Sequence, residues 1–421
     1  MSERSRFQTG GQTLLRQINL SAIMNNIREE SPISRAMLAE KTGLNKATIS
    51  SLVAELIENQ YVHEVGVTNN GVGRPRVMLS INPDAGYIVG AEVGVDFILV
   101  IATDFAPKQI FQKYQKIETG EDINRILDLL IGQIQDAIDF CNEQRAGKFL
   151  GLAVGVPGLV DYAEGTLLFA PNLNWRNVPI RAHLKNHFPN VPIFIDNEAN
   201  MATLGEYYFG SAHKAEDALY LSAGVGLGGG ILRGGQVLRG VVGMAGEFGH
   251  IIMDPDGELC ACGNRGCWET LVSQKALYRY IRESINSGQK SILQEFTHGD
   301  LTQLSVDMVI EAAEAEDNIA REALTRLAHH LGIGIASLIN ALNPELVVFG
   351  GILSNAWGYI KPVIDADLEA NVLLWDRQVT KVILAKHGMN ACVMGAVATV
   401  FQSVFSKPQN NEMSMLKNLT T

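Results

Sequence analysis

Apolar residues recur at helical spacing in the first sixty residues and predict three helices. A proline at position 32 ends the first of them, because the residue before a proline avoids the helical region. Ser34 can cap a short second helix, and a third is predicted from about residue 46 to 59. The stripe of the first helix, over residues 12–30, consists of Leu14, Leu15, Ile18, Ile23 and Ile27. The buried side of the third consists of Ile49, Leu52, Val53, Leu56 and Ile57.

A short turn, residues 42–45, separates the second and third helices and contains Gly43 and Leu44. This arrangement is typical of a helix-turn-helix domain. Two short strands around a glycine- and arginine-containing loop follow, and they predict a wing. We therefore expect residues 1–82 to form a winged helix-turn-helix domain, with a three-helix interaction module as the alternative. The side chains suited to bases and phosphates are Arg35, Asn45, Lys46, Thr48, Ser50, Ser51, Arg74 and Arg76.

Beyond residue 82 the pattern changes to apolar strands that alternate with amphipathic helices. Two similar halves begin near residues 86 and 217, and each opens with an apolar strand and a glycine turn. This repetition predicts an α/β body of two lobes around a cleft, residues 83–216 and 217–408. The polar end of the chain, residues 409–421, is predicted to be a flexible tail.

Charge is distributed unevenly over these predicted domains. Residues 1–82 hold nine Lys and Arg against seven Asp and Glu, a net charge of +2. The other residues carry −13, which gives the total net charge of −11. A mildly basic end on an acidic body places any nucleic-acid contact at the N-terminus. The chain has no uncharged apolar run long enough to span a bilayer and no apolar signal segment. We therefore expect a cytoplasmic protein without a membrane partner.

Three of the five cysteines lie within eight residues, at Cys260, Cys262 and Cys267. Thiolates and imidazole are the preferred ligands of tetrahedral zinc, so these residues and His250 predict a structural Zn²⁺ site. Disulfides or a chance cluster are the alternatives, and the lack of a secretion signal favours metal. The other two cysteines, Cys141 and Cys392, are predicted to be buried small residues.

Polar residues near two strand ends suit the recognition of a sugar. Asn172 can bind hydroxyl groups, and Trp175 can pack on a sugar ring; a turn asparagine and a core tryptophan are the alternative. Asp196, Asn197 and Glu198 follow an apolar strand, at the end where open α/β sheets bind ligands.

One long motif carries a family resemblance. G-E-x-G-H at 246–250, followed by C-x-C-G-x-x-G-C-x-E at 260–269, resembles the signature of the ROK family of repressors, open reading frames and kinases. The resemblance implies an actin-like ATPase fold for the body. It also implies that His250 and the three cysteines hold zinc, and that a sugar contacts Glu247, His250 and Glu269. The segment 31–66 resembles the winged helix-turn-helix domain of ROK repressors, which ROK sugar kinases lack.

Several positions depart from the pattern of the ROK kinases. Their first phosphate loop reads D-x-G-G-T, whereas residues 92–96 here place Val95 and Asp96 in its last two positions. Their second phosphate loop tends to read G-T-G, and this chain has Val225 between its glycines, which favours a simple tight turn. Their catalytic aspartate in N-D-A-N is replaced by Glu198. These departures predict a protein that is not an enzyme.

The runs S-P-I-S-R-A, P-N-L-N-W-R and C-G-N-R-G-C-W-E resemble the xylose-repressor branch of the ROK family. We therefore expect a transcriptional repressor that binds operator DNA as a homodimer or a dimer of dimers and is released by D-xylose. The sugar contacts are expected to be Asn172, Asn197, Glu198, Glu247, His250 and Glu269. Glucose or an amino sugar as the effector, release by a protein partner, and an ATP-dependent sugar kinase are the alternatives.

Overall fold

The computed structural model describes residues 7–68, 76–118, 120–373 and 380–405. The N-terminal domain, called the head below, has three helices, which are α1 (Phe7–Glu30), α2 (Arg35–Thr42) and α3 (Lys46–Glu58). Its antiparallel sheet has the order β1-β3-β2, formed by β1 (Ile33–Ser34), β2 (Val62–Thr68) and β3 (Arg76–Ile81). These elements confirm the predicted helices and the two strands of the wing, whose tip lies outside the described residues.

Local capping explains where α2 and α3 begin and how the turn between them closes. The Ser34 hydroxyl accepts a hydrogen bond from the Met37 backbone N–H at 3.3 Å, as expected of a cap. Gly43 has a φ of 68°, a left-handed conformation that glycine adopts without steric cost. The Asn45 side chain accepts from the Thr48 N–H at 2.8 Å and so caps α3.

The stripe predicted for α1 is only partly buried. Ile23 and Ile27 are fully buried, but Leu15 is 60% exposed and Ile18 is 54% exposed, so these two residues of the stripe do not face the core. Leu14 has a side chain outside the described residues. A helix of 24 residues is about 36 Å long at 1.5 Å per residue, and the buried residues of its stripe, Ile23 and Ile27, lie in its C-terminal half.

The first lobe of the body is built on a five-stranded mixed sheet of order β6-β5-β4-β7-β11. Its strands are β4 (Tyr87–Val93), β5 (Phe97–Asp104), β6 (Gln109–Lys116), β7 (Phe149–Val156) and β11 (Ile193–Asn197). A small sheet contains β8 (Leu159–Asp161), β9 (Thr166–Ala170) and β10 (Trp175–Val178). The helices are α4 (Ile123–Glu143), α5 (Ile180–His187) and α6 (Glu198–Phe209).

The second lobe repeats this topology with the sheet order β14-β13-β12-β15-β16. Its strands are β12 (Ala218–Ala223), β13 (Leu227–Arg233), β14 (Gln236–Val237), β15 (Leu346–Gly350) and β16 (Lys381–Leu384). In both sheets the first strand pairs antiparallel with the second and parallel with the fourth, which confirms the two similar halves. The helices are α7 (Glu269–Val272), α8 (Gln274–Asn286), α9 (Leu293–Phe296), α10 (Val306–Glu314), α11 (Asn318–Leu342), α12 (Trp357–Asn371) and α13 (Ala391–Phe405).

The last helix, α13, returns to the first lobe. It covers β4 and β7 and packs along α6, although the sequence division grouped it with the second lobe. Residues 388–405, which include α13, are apolar and long enough to cross a membrane, but two thirds of this segment is buried inside the body. Such burial identifies α13 as a core helix of the fold. The predicted flexible tail at 409–421 lies outside the described residues.

Candidate functional site

A cavity of about 280 Å³ lies between the two lobes. It is bounded by the end of β4, the start of α6, the β12–β13 turn and the loop before α7. This position is the carboxyl edge of the first-lobe strands, where open α/β sheets bind ligands. The structure brings all six predicted sugar contacts to its wall, which are Asn172, Asn197, Glu198, Glu247, His250 and Glu269.

Two buried carboxyl groups form the floor of this cavity. Glu198 begins α6, and Glu92 lies near the end of β4; each has an Oε2 atom that is buried and has no hydrogen-bond partner. Burial raises the pKa of Glu92 to about 8, and burial together with the nearby Glu92 raises the pKa of Glu198 well above its usual range. With a pKa of about 8, Glu92 is mainly protonated at neutral pH, so it can donate and accept a hydrogen bond. Burial favours the uncharged form of Glu198 in the same way.

Sequence reasoning treated Glu92 only as part of a phosphate loop and Cys392 only as a core residue. The Cys392 thiol lies beside the Glu92 carboxyl group, and both residues line the cavity. Their contact joins the first strand of the first lobe to the first turn of α13. Nothing local in the sequence signals this pair, because the two residues lie at opposite ends of the body.

Asn197 lines the cavity but uses its amide group inside the protein. Its oxygen accepts from the backbone N–H groups of Ala199 and Asn200 at 2.8 and 3.2 Å, and its nitrogen donates to the Gly158 carbonyl at 2.9 Å. This is the cap that starts α6, and it fixes the position of Glu198. The primary role that the structure supports for Asn197 is therefore to position its neighbour.

An ion pair that the sequence did not reveal connects the lobes beside this cap. Arg239, in the loop after β14, donates from Nε and Nη2 to Oδ2 of Asp196 at 2.9 and 2.7 Å. The Asp196 side chain is only 4% exposed, and the guanidinium lies 4.3 Å from the ring centroid of Tyr162 in the first lobe. The pair holds the loop leading to Glu247 against the strand end that carries Asn197 and Glu198.

The glycine loop at 224–226 is the turn of the β12–β13 hairpin, closed by a 2.9 Å hydrogen bond from the Gly224 N–H to the Gly226 carbonyl. The prediction of a tight turn is confirmed. Gly226 has a further role, because a Cβ atom there would lie 2.6 Å from Oε2 of Glu269. Glycine therefore leaves room for this carboxyl group on the cavity wall.

The predicted metal ligands form one compact group. The ligand atoms of His250, Cys260, Cys262 and Cys267 all lie within 4.8 Å of one another. The Cys260 Sγ atom is 3.8 Å from Nδ1 of His250, and the Sγ atoms of Cys262 and Cys267 are 3.7 Å apart. Ligand atoms of a tetrahedral zinc ion are separated by roughly 3.5–3.8 Å, whereas a disulfide requires about 2.05 Å. The cluster therefore fits a metal ion rather than a disulfide.

The two imidazole nitrogens of His250 face different groups. Nδ1 points to Cys260, while Nε2 lies 3.8 Å from Oε2 of Glu247. One side chain can therefore bind a metal and contribute to the cavity wall, which supports both roles expected of His250. Burial raises the pKa of Glu247, and the nearby Glu269 carboxyl adds to this shift.

Carboxyl groups are the dominant titratable groups of the cavity lining. Five carboxyl side chains line it, whereas none of its lining residues within the described ranges is Lys or Arg; the acids are Glu92, Asp96, Glu198, Glu247 and Glu269. A phosphate group would meet carboxyl groups without a compensating cation. The arrangement therefore suits an uncharged ligand with several hydroxyl groups.

Trp175 does not belong to this site. Its side chain is 6% exposed and packs in the core of the first lobe, so the alternative of a core tryptophan is confirmed.

The head presents a separate polar surface at the start of α3. Lys46, Ser50 and Ser51 are exposed there, together with Ala47, whose methyl group sequence reasoning did not consider. Thr48 is half-buried, and Asn45 uses its side-chain oxygen as the helix cap. Small polar and methyl groups on an exposed helix face suit contact with base edges.

The three arginines predicted to contact DNA differ in their surroundings. Arg35 forms an ion pair with Glu64 of β2 at 3.0 Å, so it is paired within the head. Arg76 is exposed at the start of β3. Arg74 lies outside the described residues.

Comparisons with known proteins agree with this architecture. The ROK family model matches residues 88–403. The xylose repressor of Caldicellulosiruptor bescii is 36% identical over 400 residues, which cover 95% of this chain and 99% of that protein. A ROK family transcriptional regulator, described as a homologue of the Escherichia coli MLC protein, has a TM-score of 0.79 at 28% identity and covers 93% of this chain and 97% of that one.

A solved kinase shows which part of the chain is shared more widely. A ROK family glucokinase from Streptomyces griseus, in complex with glucose and AMPPNP, has a TM-score of 0.65 at 29% identity. The match covers 98% of the glucokinase but only 74% of this chain. With a family model over three quarters of its length and a relative that spans nearly all of it, this chain belongs to the ROK family.

Proposed function

We propose that this protein is a sugar-responsive transcriptional repressor, which binds operator DNA through its head and is released by D-xylose. The observation that carries the proposal is the combination, in one chain, of a winged helix-turn-helix head and a two-lobed ROK body with a carboxyl-lined cavity. D-xylose is favoured because the similarity to the Caldicellulosiruptor bescii xylose repressor extends over both parts.

The cavity supports an uncharged sugar as the effector. The protonated carboxyl group of Glu92 offers an O–H donor and an acceptor, which match the dual character of sugar hydroxyl groups, and burial favours the same form of Glu198. Binding would satisfy their unpartnered buried Oε2 atoms, each of which costs about 1–3 kcal/mol while unsatisfied. Asn172, Glu247, His250 and Glu269 supply further hydrogen-bonding groups on the opposite walls.

Phosphoryl transfer is disfavoured by the same lining. Kinases depend on positioning and on positive charge around the transferred phosphate. Here Val95 and Asp96 occupy the last two positions of the first phosphate loop, and Val225 provides no hydroxyl group in the second. We therefore propose that the body senses a sugar and does not phosphorylate it.

Zn²⁺ is the metal that the cluster of three cysteines and one histidine fits best, by ligand type and spacing. His250, Cys260, Cys262 and Cys267 would hold it. The ion would supply structural rigidity by joining the loop that carries Glu247 to the segment before α7. Its role would thus be to position sugar contacts.

On the DNA side, Lys46, Ser50 and Ser51 of α3 would enter the major groove, and Arg76 with Arg74 of the wing would contact the backbone or the minor groove. We propose a homodimer or a dimer of dimers in the cytoplasm, because two heads read two half-sites of a pseudo-palindromic operator.

Two measurements on the purified, zinc-containing protein test the proposal. A DNA ligand is first selected by the protein from a random-sequence library, and its binding is measured by fluorescence anisotropy with and without D-xylose. Calorimetry then measures the binding of D-xylose, glucose, N-acetylglucosamine and ATP. Binding of D-xylose together with weaker DNA binding is the expected result. Binding of another sugar alone would replace the effector, and heat with ATP would support the kinase alternative.

A further inference from the structure

An arginine that is almost completely buried takes part in the contact between the head and the body. Arg28 lies in the last turns of α1, and its side chain is 8% exposed. It donates from Nη1 to the backbone carbonyl of Tyr208, and its guanidinium lies 4.5 Å from the ring centroid of Tyr208 and 5.6 Å from that of Phe209. Glu29 balances the charge at 3.1 Å. A cation inserted between a helix end and two rings is a specific contact.

The helix that receives Arg28 begins in the sugar cavity. Tyr208 and Phe209 end α6, whereas Glu198 begins it, and its twelve residues extend about 18 Å at 1.5 Å per residue. Nine of the twelve residues are buried between β13 of the second lobe and α13. A packed helix of this kind moves as a unit, so a displacement at Glu198 reaches the contact with Arg28.

A second helix connects the same two places. α13 starts beside the cavity at Cys392, and farther along it Gln402 donates from Nε2 to the Tyr208 hydroxyl at 2.6 Å. At its end, Phe405 contacts Tyr61 of the head with ring centroids 5.4 Å apart. The two helices touch through their backbones, because a Cβ atom on Gly395 would lie 1.6 Å from the Met201 carbonyl oxygen of α6. Tyr208 is therefore the point where both helices and the head meet.

We propose that Arg28 is the positioning residue that couples the sugar cavity to the DNA-binding head. It fixes the head on the end of α6, which Gln402 joins to α13, so that the lobe arrangement favoured by the sugar sets the placement of the two heads on DNA. This inference rests on the proposed function. A sugar changes DNA affinity only if it binds one arrangement better than the other, and Arg28 makes the head sensitive to that difference.

Arg28→Ala and Arg28→Lys test the coupling, with Arg16→Ala as the matched control. Arg16 is on the same helix, but its partner is Glu55 of α3, so its ion pair lies inside the head. The quantity measured is the ratio of DNA dissociation constants with and without saturating sugar, for whichever of D-xylose, glucose or N-acetylglucosamine the wild type binds. A typical coupling is about 5–150-fold.

Arg28→Ala is expected to reduce this ratio to below about threefold while sugar affinity stays within about threefold of wild type, which separates lost coupling from a damaged cavity. Arg28→Lys is expected to give a ratio between those of the wild type and Arg28→Ala, because lysine keeps the charge but lacks the planar group that stacks on Tyr208. Arg16→Ala should keep the full ratio. An unchanged ratio in Arg28→Ala would overturn the proposal.

Hydrogen–deuterium exchange decides the role of Arg28 independently of any sugar. Peptides from the last turns of α1 and from the end of α6 should exchange faster in Arg28→Ala than in wild type or Arg16→Ala. If no sugar binds the wild type, the proposed function fails, and equal exchange in all three proteins would then reject the docking role as well. Faster exchange in Arg28→Ala alone would retain Arg28 as the head-docking residue.

Discussion

Replacing Arg239 with methionine should destabilise the body strongly, because it leaves a buried carboxylate without its cation. Asp196 is 4% exposed, and its Oδ2 atom accepts two hydrogen bonds from the guanidinium. Breaking a buried ion pair from one side costs about 3–5 kcal/mol, and the lost contact with the Tyr162 ring adds about 0.5–1 kcal/mol. Arg239 itself is 29% exposed, so water can enter the space that its guanidinium group fills in the wild type. We therefore expect a loss of about 3 kcal/mol, at the lower end of that range.

The assay is urea unfolding followed by the fluorescence of the four tryptophans. A double-mutant cycle with Asp196→Asn isolates the pair, since asparagine keeps an acceptor but removes the charge. In the Arg239→Met background, Asp196→Asn should cost little or restore stability, which gives a coupling energy of about 2 kcal/mol or more. A loss below about 1 kcal/mol for Arg239→Met, or additive effects in the double variant, would refute the reasoning. Sugar affinity should fall in parallel, because the pair holds the two walls of the cavity together.

Three further predictions concern the cavity floor, the metal and the head. The pKa of Glu92 is raised from 4.5 to about 8, so the folded chain holds an extra proton between these values and the free energy of unfolding falls as pH rises through this window. Relative to Glu92→Gln, the free energy of unfolding of the wild type should fall by on the order of 4 kcal/mol between pH 5 and 8, at about 1.4 kcal/mol per pH unit. Urea titrations measure this free energy at each pH, and parallel pH profiles for the two proteins would contradict the prediction. Elemental analysis should find about one zinc ion per chain in the wild type and less zinc in Cys262→Ser. The control Cys141→Ser, which changes a buried cysteine of α4, should keep its zinc. Equal zinc content in all three proteins would reject the site. Lys46→Ala should weaken binding to the selected DNA and reduce the slope of log affinity against log salt by about 1, whereas Lys116→Ala on β6 should bind as wild type does.

Much of the architecture could be predicted from the sequence because the signals are local. Helix stripes, the Ser34 cap, the Gly43 turn and the repeated strand–turn pattern all depend on residues a few positions apart. The cap formed by Asn197 was overlooked, although an asparagine directly before a helix is a capping signal. Asn197 lies on the cavity wall as predicted, while its amide group also bonds to the backbone.

Burial could not be derived from periodicity alone. Leu15 and Ile18 continue the stripe of Ile23, yet they are exposed because α1 extends beyond the head. Trp175 follows the sugar-site pattern but faces the core of the first lobe. In each case, burial of the side chain depends on whether another element packs against it. The position of that element is a property of the assembled fold.

By itself, the sequence determined the head, the two-lobed body and the Cys and His cluster, because spacing within a short segment fixes backbone dihedrals, caps and ligand sets. Of the six cavity residues that were predicted, Glu247, His250 and Glu269 were implied by the resemblance to the ROK signature. Only the tertiary structure decided the long-range pairs. Arg239 and Asp196 are 43 positions apart, and Arg28 and Tyr208 are 180 apart. Chain topology brings such residues together, and desolvation then changes the energies of their charges. A local sequence pattern cannot reveal this effect. The communication between cavity and head that we propose depends on these distant contacts.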